Sequence, residues 1–277
     1  MIAYRKQEDL SHQELVEITE LVHKLYRYDF REYAKASLKR RLLRIMDRYD
    51  MDLNQFLTSL KSKPAFIQQF ITELTVNVTE IFRDPYVFSA LEKDVLPKLA
   101  TQEKIRVWHA GCSSGEEVIS TAILFEEAGL LRKSSFIGTD LNPNVVFQAK
   151  TGLYKKAMIE KYAANYLEVP GKKQLNDYFQ DERDNLRILP AIHERCSFAV
   201  HNLVSDTSPG QFDLILCRNV YIYFELSLQE KVLKLLYDSL NPGGYLCLGS
   251  KESIRFTGLV NRFEEVNAEA RIFKKID

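Results

Sequence analysis

The 277-residue sequence has no net charge, because 38 lysines and arginines are matched by 38 aspartates and glutamates. That balance removes any global electrostatic argument for a nucleic-acid or membrane-surface partner and leaves only local clusters to consult. Cys112, Cys196, Cys217 and Cys247 form no C-x-x-C pair, so neither a disulfide framework nor a thiolate zinc site is expected. No apolar run approaches the roughly 20 residues that span a bilayer, and the first ten residues lack the apolar stretch of a signal peptide. The expectation is a cytoplasmic protein without membrane insertion. Also missing are the G-x-G-x-x-G of dinucleotide folds and the lysine of a phosphate-binding loop. What is present is an ordinary globular composition, 45% hydrophobic and 27% charged, over a length that suits a small domain joined to an α/β domain.

Residues 10 to about 72 carry helical periodicity and almost nothing strand-like. Leu15, Ile18, Leu21, Val22 and Leu25 form one apolar stripe, and Ser11 with Glu14 reads as a capping box. A second helix is expected over 37–49, with Leu38, Leu42, Ile45 and Tyr49 on one face and Arg40, Arg44 and Arg48 on the other, Arg41 beside them. Arginine stems covering neighbours explain such a stripe, and so does an acidic partner. After a helix-like stretch at 86–99 the texture changes to short apolar runs at 105–110, 135–140, 196–200, 212–217 and 244–248, separated by helical patterns. Strands alternating with helices predict a mostly parallel sheet covered on both faces. Runs at 263–266 and 270–276 read as a closing hairpin with an antiparallel edge. The 55 or so residues between the second and third runs exceed one crossover helix, so an inserted subdomain with short antiparallel strands around Tyr178, Phe179 and residues 186–189 is expected there.

The candidate chemistry lies at strand ends. After the first run comes AGCSSGEE, residues 110–117, a glycine-containing turn into a helix that lets a ligand approach the backbone. Glu116 and Glu117 suit a ligand bearing an ammonium or sulfonium group, a description that S-adenosylmethionine meets. The second run ends in Asp140, suited to ribose hydroxyls, and the third leads to Asn202, able to reach an adenine edge, with Leu203 over a ring face. Helix capping explains Asp140 or Asn202 singly. Polar groups at three successive strand ends point instead to the ligand site of an open parallel sheet. The fourth run enters RNVYIYF, residues 218–224, which brings Arg218, Asn219 and Tyr223 to the same edge and lacks the Pro-Pro-aromatic sequence expected of methyltransferases acting on nucleic-acid bases. His109, His193 and His201 read as structural.

The strings VNVTEIFRDP, RVWHAGCSSGEE, GTDLNP, HNL, FDLILCRNVYIYF and NPGGYLCLGS occur in order across nearly the whole chain, and in that order and spacing the sequence resembles the CheR family of chemotaxis-receptor methyltransferases. The resemblance implies an α/β fold, a Rossmann-like S-adenosylmethionine-dependent methyltransferase sheet with a small inserted β-subdomain, preceded by an all-α N-terminal domain. It implies an all-α receptor-recognition domain at 1–72, a cofactor-contacting linker at 73–85, and a methyltransferase domain at 86–277 with its insert at about 154–198. It also implies that Asn77, Thr79, Arg83, Glu117, Asp140, Asn202, Leu203, Arg218 and Asn219 bind the cofactor. Of these, Glu117 is to hold the methionine amino group, Asp140 the ribose, and Asn202 with Leu203 the adenine. Arg83 and Tyr223 resemble the pair nearest the transferred methyl, and Arg40, Arg41, Arg44 and Arg48 are the expected receptor contacts.

The implied reaction esterifies glutamate side chains on the cytoplasmic helices of a methyl-accepting receptor, leaving S-adenosylhomocysteine, with no nucleic acid and no metal involved. A glutamate with a pKa near 4.3 is already ionised at neutral pH, so no general base is required. Two alternatives remain at this stage, a non-catalytic cofactor-binding adapter and a nucleic-acid methyltransferase. The sequence departs from the family in two places. GSKE at 249–252 stands where relatives usually carry Gly-His-Ser-Glu, and the charged turn at 181–185 has no glycine of the kind found in members that bind a receptor's C-terminal peptide.

Overall fold

The computed structural model describes residues 9–75, 77–169, 171 and 173–276. Met1 to Glu8, Val76 at the head of VNVTEIFRDP, and Pro170 lie outside the described residues. The chain divides into two compact units, Met1–Val76 with Ile222–Gln229, and Asn77–Tyr221 with Glu230–Asp277. Among the described residues no helix is long and apolar enough to cross a membrane.

The helical unit contains α1 (His12–Tyr26), α2 (Lys35–Arg48), α3 (Leu53–Ser62) and α4 (Pro64–Leu74). Ser11 Oγ accepts the Glu14 N–H while Glu14 reaches back to the Ser11 N–H, so the expected capping box starts α1. Asp52 and Gln55 do the same for α3, and Pro64, whose missing N–H costs nothing in a first turn, opens α4. The apolar stripes meet in a core of Leu15, Ile18, Val22, Leu38, Leu42, Ile45, Phe56 and Phe70. The segment 222–229, which the sequence reading leaves in the α/β domain, clusters here. Its attachment is local and specific: the Ala34 N–H donates to the Tyr223 carbonyl at 2.9 Å, Tyr33 bridges Phe224 as an antiparallel pair, and their rings cross edge to face at 5.1 Å.

In the α/β unit, α5 (Pro85–Ala90) continues through a π turn at Leu91–Val95 into α6 (Leu96–Leu99), and Pro97, which cannot donate to the helical ladder, lies just past the irregularity. Then follow β1 (Ile105–Ala110), α7 (Glu116–Glu127), β2 (Ser134–Asp140), α8 (Pro143–Thr151), β3 (Leu153–Lys155), α9 (Lys156–Leu167), β4 (Phe179–Glu182), β5 (Asn185–Ile188), α10 (Pro190–His193), β6 (Cys196–Val200), β7 (Phe212–Cys217), α11 (Leu226–Asp238), β8 (Leu240–Leu248), β9 (Phe263–Asn267) and β10 (Ile272–Lys275). Among the described residues the main sheet has seven strands in the order β6-β2-β1-β7-β8-β10-β9. The first five are parallel, and β10 runs antiparallel to both β8 and β9. Every residue of β7 is buried, as a strand covered on both faces requires. The chain moves outward from β1 to β2 and β6, then returns to place β7 on the other side of β1. The strand order therefore reverses between β1 and β7, the place where open α/β sheets take their ligands.

The insert is a second, three-stranded antiparallel sheet, β3-β5-β4, with α9 against it. The three-residue β3 is too short for any periodicity to reveal. The turn of the β4-β5 hairpin puts Arg183 at a φ of 56° rather than using glycine. Two insert tyrosines converge on the end of α7: Tyr166 and Tyr178 both donate to Glu127 Oε1, at 2.5 and 2.7 Å. Tyr178→Phe removes one of these bonds to a carboxylate and is expected to lower unfolding stability by about 1.5–3 kcal/mol. Urea denaturation measures that loss, with earlier proteolysis inside residues 153–189 as its local signature.

Candidate functional site

Backbone strain marks the place where the strand order reverses. Phe82, Asp84, Ser113 and Asn219, none of them glycine, have φ values of 51°, 58°, 50° and 61°. Each such residue costs about 1–3 kcal/mol and persists only where its surroundings over-determine it. Here they do. The Phe82 N–H donates to Ser120 Oγ at 2.8 Å, and the Ser113 N–H to Asp140 Oδ2 at 2.9 Å. The Asn219 N–H donates to Glu252 Oε2 at 3.0 Å, and the Asp84 carboxylate accepts from Arg218 at 2.7 Å.

Arg218 leaves the end of β7 with only 1% of its side chain exposed. Its guanidinium donates to Glu117 Oε2 at 3.0 Å, to Asp84 Oδ2 at 2.7 Å and to the Arg83 carbonyl at 3.1 Å. The sequence reading puts Arg218 on the pocket rim beside Asn219; the structure instead buries it as the bond between the 83–84 segment and α7. Burial disfavours its charge, but Glu117 and Asp84 more than offset that and raise its affinity for the proton. One guanidinium thus faces two carboxylates, those of Glu117 and Asp84.

The turn from β1 to α7 sets Glu117 in that cluster. Gly111 has a φ of +88°, and a Cβ there would lie 2.4 Å from Val220 Cγ2, so no larger residue fits that bend. Of the two glutamates in the motif, Glu117 has its carboxyl lowered and Glu116 has its carboxyl raised. Burial pushes the Glu117 carboxyl up, yet the His109 hydrogen bond and the Arg218 charge together hold it below the usual carboxylate range. Glu116 is buried with the Ser114 hydroxyl at 2.9 and 2.7 Å from its oxygens, and burial raises its carboxyl. His109, which the sequence reading leaves as structural, is fully buried with Nδ1 2.9 Å from Glu117 Oε1. The signal was in the spacing, since a strand's penultimate residue and the second residue of the following helix meet across a tight turn.

Asp140 ends β2. Its oxygens accept the Ser113 and Asn142 N–H groups, both at 2.9 Å, and burial raises its carboxyl despite these donors. Asn202, half-buried after β6, accepts the Val204 N–H through its side-chain oxygen at 3.0 Å, and Leu203 beside it is also half-buried. Asn219 packs beside Gly249, where a Cβ would come within 2.8 Å of the Asn219 nitrogen. The Gly249 N–H also donates to Glu252 Oε2, at 2.6 Å. In GSKE, then, the glycine and glutamate brace Asn219 while Ser250 and Lys251 are exposed. Asn77, Thr79 and Arg83 belong to the α/β unit, half-buried, with Arg83 donating to the Val78 carbonyl at 3.0 Å.

Tyr223 belongs to the helical unit. The guanidinium carbon of Arg41 lies 4.3 Å over its ring, and Arg41 donates to the Leu74 carbonyl at 2.7 Å. Arg41 therefore leaves the outward stripe that the sequence suggests. Arg40 and Arg44 are exposed, and Arg48 is exposed while pairing with Glu73 at 2.5 Å.

The residues fit the cofactor that the motifs imply. The Glu117 carboxylate, held low, matches an α-ammonium, and the buried Ser113 hydroxyl lacks a protein partner. Replacing Arg218 by methionine strands two carboxylates and is expected to lower stability by about 3–5 kcal/mol, read by denaturant melts. A loss under 1 kcal/mol would mean that the cluster is not under load.

Comparison with known proteins assigns both halves of the chain to one family. Residues 13–75 match the family described as CheR methyltransferase, all-alpha domain, and residues 77–272 match CheR methyltransferase, SAM binding domain. The protein named Cher3 of Pseudomonas putida is 38% identical over 259 residues, covering 93% of this chain and 95% of its own. A chemotaxis protein methyltransferase of Listeria monocytogenes is 34% identical over 229 residues, covering 82% and 84%. Chemotaxis protein methyltransferase 1 of Vibrio cholerae is 34% identical over 214 residues, covering 74% of each chain. Among solved structures, the N-methyltransferase NodS of Bradyrhizobium japonicum shares 14% identity at a TM-score of 0.41, covering 72% of this chain and 90% of that one, too distant to carry an argument. With both halves of the chain matched and with relatives similar over 74–93% of it, this protein belongs to the CheR methyltransferase family.

Proposed function

We propose that this protein transfers a methyl group to glutamate carboxylates on the cytoplasmic helices of a chemotaxis receptor, giving glutamyl methyl esters and S-adenosylhomocysteine. The observation that carries the reading is the cluster in which Arg218 and His109 hold the Glu117 carboxyl below the usual carboxylate range. Glu117 would hold the cofactor's α-ammonium, Asp140 the ribose, and Asn202 with Leu203 the adenine. Asn77, Thr79 and Asn219 would complete the contacts, and Arg218 would act from behind Glu117. S-adenosylmethionine, when bound, supplies an electrophilic methyl on a positively charged sulfur. What remains for the protein is to exclude water and aim an acceptor that is ionised well before pH 7, and such positioning is worth on the order of 7–11 kcal/mol. Arg83 is suited to aim the acceptor carboxylate by a charge-assisted bond. Tyr223 is the aromatic partner that the family resemblance puts near the same methyl.

The linker at 73–85 would contact the cofactor, a role supported by the bonds of Phe82 to Ser120 and of Arg83 and Asp84 to Arg218. Receptor recognition would fall to the helical unit, with Arg40, Arg44 and Arg48 of α2 as the cations offered to acidic receptor helices.

Incubation with methyl-labelled cofactor and receptor cytoplasmic fragments is expected to give methyl esters that mild alkali removes; label that survives alkali would mean another acceptor. The α2 arginines should separate by role. Arg40→Ala with Arg44→Ala is expected to raise KM for the receptor several-fold and flatten its salt dependence, whereas Arg41→Ala lowers kcat through Tyr223. Equal KM effects from both variants would return Arg41 to the recognition stripe.

A further inference from the structure

Glu117 has two partners of different character. Arg218 on Oε2 supplies charge, while His109 on Oε1 supplies direction. His109 sits on β1 with none of its surface exposed, and its Nε2 has no hydrogen-bond partner. Donation through Nδ1 leaves Nε2 as the acceptor nitrogen, the arrangement least penalised in a dry interior, because an unmet lone pair is tolerated better than an unmet N–H. In this tautomer the ring donates through Nδ1 to Glu117 Oε1. It fixes the rotation of the carboxylate about its last torsion, which is otherwise broad.

We infer that His109 is a positioning residue for cofactor binding: it locks the Glu117 carboxylate in the plane that receives the α-ammonium. The inference rests on Glu117 as the ammonium acceptor. Its consequence is selective, because only ligands that carry the amino-acid moiety should sense the loss of His109. S-adenosylhomocysteine carries that moiety and 5′-methylthioadenosine does not.

Isothermal titration of the full-length protein with both ligands tests this. His109→Ala is expected to weaken S-adenosylhomocysteine binding about tenfold or more while methylthioadenosine binding stays within about twofold, and the retained methylthioadenosine affinity reports an intact pocket. His109→Asn, whose amide nitrogen can take the place of Nδ1, is expected to restore most of the lost affinity. His109→Ser serves where the alanine variant folds poorly. Equal weakening of both ligands, or unchanged affinity for both, overturns the inference. Glu117→Gln provides the separate control: if it leaves the ratio of the two affinities unchanged, the ammonium reading itself fails and this inference fails with it. If it abolishes the ratio while the His109 variants do not, His109 alone is excluded.

Discussion

A guanidinium with 1% of its side chain in contact with solvent is tenable only if nearby charges and acceptors replace the water it lost. Arg218 finds them in three parts of the α/β unit: Glu117 at the start of α7, the Asp84 carboxylate, and the Arg83 carbonyl. Removing Glu117 or Asp84 leaves the buried Arg218 charge short of a counter-ion, which is more costly than never having placed it there. The bond network therefore fixes where segment 83–84 lies relative to the end of β1, and with it the position and ionisation of the carboxylate that the cofactor reading needs.

The same network accounts for the concentration of left-handed backbone. Phe82 and Asp84 flank Arg83, Ser113 lies in the Gly111 bend, and Asn219 follows Arg218 directly. Each is a sharp turn made where two elements must approach the strand-order reversal between β1 and β7, and each is held by a bond to a neighbouring element. Strain of this kind is consistent with a site whose geometry is built before the ligand arrives. That suits a reaction in which the acceptor needs alignment and a dry environment rather than a proton acceptor.

Much of the α/β layout was legible because buried parallel strands leave apolar runs and the glycine turn leaves a gap between them. β1, β6 and β7 begin and end where the runs do, and the closing hairpin appears as β9 and β10. What stayed hidden depends on partners distant in sequence. Nothing local tells Arg218 from a rim arginine, because Asp84 and Glu117 are 134 and 101 residues away. Arg41 turns inward for the same kind of reason, since its partners, Leu74 and Tyr223, come from other segments. The transfer of 222–229 to the helical unit rests on pairing with Tyr33 and Ala34, and β3 is three residues of sheet that only its neighbour β5 defines. His109 reads in the sequence as a structural histidine, and only the turn after β1 brings it to Glu117, eight residues on.

The most direct test of the central claim is a carboxyl 13C NMR titration that follows Glu117 in the full-length protein. If Arg218 and His109 hold this carboxylate as described, it stays ionised to pH values below the ordinary glutamate range near 4.3, and its resonance moves with S-adenosylhomocysteine but not with methylthioadenosine. A Glu117 that titrates at or above that range, or that ignores S-adenosylhomocysteine, would contradict the account.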